Sequence, residues 1–215
     1  MIDDLNIQYN SLSENEKNTL LIYKSRLGLL INDLDNNPDY NYYYDYLINI
    51  FNNPINMLLK TTIFKSIDLT SIDAFKESII NIKNNLDELI NKFIINEDIT
   101  LYRIISSNDY INGISKGNII STSFSFGETL KFANAGENIV IYQINLKKGS
   151  HVGYIPYSIL YDNKNNRLVL SKNQNEEEII IDKNNYNFDE VNNYMQNGIN
   201  FITIDGNEKN NIKGR

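Results

Sequence analysis

Near the C-terminus the chain reads Gln174-Asn175-Glu176-Glu177-Glu178-Ile179-Ile180-Ile181, an acidic triplet running straight into an apolar, β-branched segment. Side chains two apart on a strand share a face, so Glu176 and Glu178 are placed to look into one cleft while Glu177 looks away. Two carboxylates converging on one substrate can divide a reaction between them, one stabilising a developing cation and the other taking a proton. The same triplet also suits a charged gatekeeper beside an aggregation-prone strand. Two upstream segments, each ending an apparent strand, sharpen the choice: Leu101-Tyr102-Arg103-Ile104 and Ile119-Ile120-Ser121-Thr122-Ser123-Phe124.

The elements that must position these groups fall into two regimes. Ser13-Glu14-Asn15-Glu16 is a capping box ahead of Leu20, Leu21, Leu27, Leu30, Ile31 and Leu34, which have helical spacing. A tyrosine-rich stretch from Asp39 to Phe51, bounded by Pro38 and Pro54, reads as a short helix whose aromatic rings pack on the core, with a base-stacking platform as the alternative. From Thr70 to Phe93 the apolar positions step by three and four, which gives a long amphipathic helix. After Glu97-Asp98 the pattern changes to short apolar runs at Ile99–Ile105, Asn118–Phe124, Asn138–Leu146, Gly153–Tyr161, Arg167–Ser171, Glu178–Asp182 and Gly198–Asp205. Helices first and strands afterwards imply an α+β fold, with N-terminal helices packed on an antiparallel or mixed sheet.

Composition narrows the function. The 215 residues, 41% of them apolar, fit a single domain over 1–215, with a helical part at about 10–95 and a β-rich core at about 97–210. A net charge of −7 gives no general attraction for nucleic acid or anionic membranes. The absence of cysteine removes thiolate nucleophiles, disulfides and Cys-based zinc sites together. His151, the only histidine, lies in a Lys-Lys-Gly-Ser-His turn and reads as a surface residue, so no metal site is expected. No Gly-x-Ser-x-Gly elbow accompanies it. The polar start has no signal-peptide pattern, and no apolar run approaches a membrane span, so no membrane insertion is expected.

An arginine, a Ser-Thr-Ser and a Glu-x-Glu, in that order and each on a β segment, resemble the Arg/Ser/Glu signature of bacterial mono-ADP-ribosyltransferase toxins, the clostridial and bacillary exoenzymes and binary-toxin catalytic domains. The likeness extends over most of the chain. Leu12 to Ile22, followed by Tyr23 and Asn32, is similar to the family's opening helix, whose Tyr and Asn border the NAD cleft; Gly28 stands where many members have a second Tyr. Phe132-Ala133 resembles the loop whose ring stacks on nicotinamide, and Asn134-Ala135 stand where many members carry a phosphate-binding Arg, a role Lys131 would take instead.

The resemblance implies an ADP-ribosyltransferase-like fold, helices on a mixed or antiparallel β-sandwich core, and NAD consumed as co-substrate. The lack of a Gly-x-Gly-x-x-Gly fingerprint agrees with consumption rather than redox recycling. By the same resemblance, Glu178 faces the ribose, Glu176 the acceptor, Ser121 orients Glu178, and Arg103 holds the phosphates. Tyr102, Thr122, Ser123, Phe132, Tyr23 and Asn32 complete the NAD-binding set. Family members that modify asparagine have Gln at the first position of the motif, so Glu176 implies arginine as acceptor.

The segment between Tyr154 and Glu176 is longer than in binary-toxin members; Ile159-Leu160-Tyr161 and Leu168-Val169-Leu170, about a polar turn, read as an inserted β-hairpin where the family recognises its target. The implied protein is a secreted toxin acting on a host protein of the actin or small-GTPase class in the host cytosol, delivered by a separate translocation component or another route. Water as acceptor, giving an NAD glycohydrolase, is one alternative, and a catalytically inactive partner-binding domain of the same fold is another.

Overall fold

A computed structural model describes residues 1–106, 114–115, 117–133, 139–162, 164–165, 167–172 and 178–209. The helices among them are α1 (Ile2–Ser11), α2 (Glu14–Lys24), α3 (Leu27–Asn32), α4 (Tyr40–Phe51), α5 (Met57–Thr62), α6 (Ile72–Ile90) and α7 (Phe126–Leu130). The strands are β1 (Phe93–Ile94), β2 (Ile99–Ser106), β3 (Ile119–Ser123), β4 (Ile139–Leu146), β5 (His151–Ile155), β6 (Tyr157–Asp162), β7 (Arg167–Lys172), β8 (Glu178–Asp182), β9 (Tyr186–Gln196) and β10 (Ile199–Glu208). Contacts divide the chain into two compact units: a helical unit of Ser11–Leu89 with Tyr157–Asn173, and a β-rich unit of Met1–Asn10, Ile90–Pro156 and the C-terminal strands.

In the helical unit the capping box forms as the sequence implies. The Ser13 hydroxyl accepts from the Glu16 amide at 3.4 Å, and Glu16 accepts from the Ser13 amide at 2.7 Å, so two amide donors at the helix start are satisfied. Helix α6 buries Phe75, Ile79, Ile82, Leu86 and Leu89, none more than 2% exposed, as their three-and-four spacing requires.

Helix α4 departs from expectation. It buries Leu47, Ile50 and Phe51, while its tyrosines are half-exposed or, at Tyr42, exposed. Two of those rings serve a cation instead, the Arg26 guanidinium lying 5.2 Å from Tyr42 and 5.0 Å from Tyr46. Tyr44 does reach a core ring, Phe75 at 5.7 Å.

The expected hairpin is present, β6 and β7 pairing antiparallel with Leu160 opposite Val169. The apolar run at 153–161, expected as one strand, is two. Pro156 has no N–H for a ladder, and the chain passes there from β5 of the β-rich unit to β6 of the helical unit. Asn56, wholly buried, fixes the hairpin within its unit: its Nδ2 donates to the Ile50 carbonyl and its Oδ1 accepts the Leu168 amide, both at 2.9 Å.

The β-rich unit holds a mixed sheet of eight strands in the order β1-β5-β8-β3-β2-β4-β10-β9, in which β4 and β10 run parallel. Among the described residues its two halves, β1-β5-β8-β3 and β2-β4-β10-β9, join through the single register pair Tyr102–Ser123. In β8, Ile179, Ile180 and Ile181 are wholly buried. Gly153 on β5 permits that packing, because a Cβ there would stand 2.4 Å from Ile180 Cγ1. Strand β9 was not legible as a strand: its asparagines and acids disfavour extended structure, and among the described residues it pairs on one side only, with most of its residues exposed.

Candidate active site

Three strands of the β-rich unit bring the chemistry together. Arg103 stands on β2, Ser121 on β3 and Glu178 at the first position of β8. Glu178 is 4% exposed, an environment in which a carboxylate is costly unless polar partners compensate it. Ser121 supplies one such partner, its hydroxyl donating to Glu178 Oε1. The register explains the contact: Ser123 is directly opposite Glu178 and Ser121 opposite Ile180, so Ser121 meets Glu178 along the diagonal of one sheet face.

Ser121 also engages the arginine through its main chain. Arg103 donates from a terminal guanidinium nitrogen to the Ser121 carbonyl and from Nε to the Ile114 carbonyl, each at 2.7 Å. Two donors of the planar fork held by fixed backbone oxygens set the plane of the guanidinium. Ser121 thus couples the cation and the carboxylate, one through its carbonyl and the other through its hydroxyl. The Ile114 carbonyl had no signal in the sequence, since a backbone acceptor carries no residue-type signature.

The other expected site residues are spread more widely. Thr122 faces the opposite side of β3, and its hydroxyl donates to the Ile179 carbonyl at 2.7 Å. Ser123 Oγ accepts the Ser125 amide at 3.1 Å and so shapes the turn into α7, which Ser125 caps. Both hydroxyls hold the strand and turn that present Ser121. Tyr102, next to Arg103 on β2 and opposite Ser123 in the register, meets Phe126 at 5.5 Å. Phe132 lies just beyond α7 and is 60% exposed. Lys131 pairs with Glu128 at 2.6 Å. Glu176 and Glu177, together with Asn134 and Ala135, lie outside the described residues.

In the helical unit, Asn32 Nδ2 donates to the Tyr23 hydroxyl at 3.1 Å, so the two residues nine apart in sequence form one polar pair. Gly28 is dictated by close approach: a Cβ there would stand 2.1 Å from the Tyr23 carbonyl oxygen, which leaves no room for a second tyrosine. His151, expected at the surface in a turn, instead begins β5, half-buried, with Nδ1 2.8 Å from Glu208 Oε1. Nearby, burial and the Glu208 carboxylate push the Tyr186 phenol well above its usual value.

No protein-family model matches the sequence, and no curated protein matches it by sequence. Solved structures do match. The C3 exoenzyme of Clostridium limosum aligns with 96% of this chain and 91% of its own at 17% identity, with a TM-score of 0.53. Vis toxin, an ADP-ribosyltransferase from Vibrio splendidus, aligns with 99% of this chain and 85% of its own at 13% identity and a TM-score of 0.51. An ADP-ribosyltransferase from Clostridium botulinum gives 94% and 91% coverage at 15% identity and a TM-score of 0.50. These likenesses cover nearly the whole chain, and with the helices-then-sheet order they establish that it has the fold of the bacterial mono-ADP-ribosyltransferase toxins.

Proposed function

We propose that this protein is a toxin that transfers ADP-ribose from NAD to an arginine of a host protein and releases nicotinamide. The observation carrying the proposal is the buried Glu178 carboxylate, hydrogen-bonded by Ser121, whose own carbonyl holds the Arg103 guanidinium. Breaking the bond between nicotinamide and ribose develops oxocarbenium character at the anomeric carbon, and a fixed carboxylate in a dry setting stabilises that charge more than it stabilises the ground state. Glu178 takes that part, Ser121 holds its orientation, and Arg103 offers a planar cation to the NAD diphosphate.

Glu176 precedes Glu178 by two and would orient the incoming guanidine and assist its loss of a proton. The β6–β7 hairpin, with Leu160 and Leu170 exposed at 55% and 46%, is the proposed contact for the target protein. The target is of the actin or small-GTPase class, reached in the host cytosol after secretion. Incubation with labelled NAD and agmatine, a small guanidine, should yield ADP-ribosylagmatine and nicotinamide in equal amounts. Nicotinamide without the adduct, both there and with host lysate, would show water to be the acceptor and overturn the transferase reading.

A further inference from the structure

Tyr102, the β2 neighbour of Arg103, borders a cavity of about 450 Å³. Tyr102 on β2, Gln143 on β4 and Phe201 on β10 line it from the sheet, Phe126 lines it from α7, and Tyr194 with Gln196 and Asn197 line it from the tip of the β9–β10 hairpin. Its size falls within the roughly 300–1,000 Å³ range of small-molecule sites. None of its described lining residues is charged.

The rings form a connected series. Tyr194 stacks on Phe201 at 5.2 Å and 8°, Phe126 lies 6.2 Å from Phe201, and Tyr102 meets Phe126 edge-on. A planar ring entering here extends an existing stack, an arrangement that is tolerant of ring identity but demands flatness. Polar selectivity comes from the carboxamides. Gln143 Oε1 already accepts from the Thr203 hydroxyl at 2.9 Å, which leaves its amide N–H groups to donate. Gln196 and Asn197 bring further donors and acceptors, and a carboxamide can address the adjacent donor and acceptor on an adenine edge in a bidentate manner.

We propose that this cavity binds a neutral planar heteroaromatic ring, a purine base or nucleoside, at a site whose described lining includes none of Arg103, Ser121 and Glu178. A phosphate adds nothing there, because none of the described lining residues is a cation. That feature distinguishes the site from any cleft built on Arg103, where phosphate would strengthen binding.

The test follows amide chemical shifts of the isotope-labelled protein during titration with adenosine, AMP and ribose. Saturable shifts in 126–130 and 194–201 at millimolar adenosine are expected, with AMP equal to adenosine within about twofold and ribose inert. Tyr194→Ala, at a residue 37% exposed and therefore safe for the fold, should weaken adenosine by about fivefold or more through loss of one stacking partner. Gln143→Leu should weaken it as well; if that variant fails to fold, Tyr194→Ala decides. Absence of saturable shifts, shifts centred on Arg103 and Ser121 with AMP preferred, or an unaltered response in Tyr194→Ala would each overturn the proposal.

Discussion

Ser121 reaches Glu178 across the diagonal of the β3–β8 ladder, and the same residue's carbonyl receives the Arg103 guanidinium. The hydroxyl and the carbonyl are separable by mutation. Ser121→Ala removes the donor to a buried carboxylate but leaves the carbonyl that holds Arg103. Loss of a hydrogen bond to a charged group costs about 1.5–3 kcal/mol, so nicotinamide release should fall by roughly tenfold to a hundredfold while NAD affinity changes little. A Kd for NAD that rises in parallel with the loss of rate would show that Ser121 binds substrate rather than positioning Glu178.

Glu178→Gln keeps the shape and removes the charge. Both transfer and hydrolysis should drop by orders of magnitude, because both pass through cleavage at the ribose. Burial at 4% exposed adds a second readout, since an ionised carboxylate there is held at a cost to stability. The thermal midpoint of Glu178→Gln should be equal to or above that of the parent protein. Glu176→Gln should abolish arginine modification and spare much of the hydrolysis, with Glu177→Gln as the near-neutral control. Equal loss of hydrolysis in Glu176→Gln and Glu178→Gln would refute the division of labour.

Arg103→Lys retains the charge but cannot reproduce a planar fork that satisfies the Ile114 and Ser121 carbonyls together. NAD binding by calorimetry should weaken about tenfold, equivalent to about 1.4 kcal/mol. An unchanged dissociation constant would remove Arg103 from the diphosphate.

Strong local signals were legible in the sequence. The Ser13–Glu16 box, the three-and-four stripe of α6 and the β-branched run of β8 each carry a periodicity or a cap that burial enforces. So did the β6–β7 hairpin, whose polar turn separates two apolar runs. What escaped depends on non-local structure. Strand β9 is extended because β10 pairs with it, against its own asparagine-rich composition. The break at Pro156 looks continuous in hydropathy and is set by where the chain crosses between units. Within Ser121-Thr122-Ser123 the residue types alone do not rank the hydroxyls; the side-chain hydrogen bonds do, giving Ser121 the carboxylate and Thr122 a main-chain carbonyl.

Asn56 is the sharpest test of whether the hairpin must be held for the protein target. Its side chain is 0% exposed and is placed by the Pro54–Asn56 turn so that it donates to the Ile50 carbonyl and accepts from the Leu168 amide. Asn56→Leu fills the volume but strands a buried carbonyl and a strand amide, each worth about 1–3 kcal/mol when left unmade. The expected outcome is a clear drop in thermal midpoint together with faster hydrogen exchange at the Leu168 amide. Asn56→Asp retains an acceptor for Leu168 yet cannot donate to Ile50 and adds a buried charge, so it should be no less destabilising. At a temperature where Asn56→Leu remains folded, labelling of a protein acceptor should fall more than labelling of agmatine, which has no surface for the hairpin to grip. Proportional loss of both would mean that Asn56 supports the enzyme as a whole and that the hairpin does not select the acceptor.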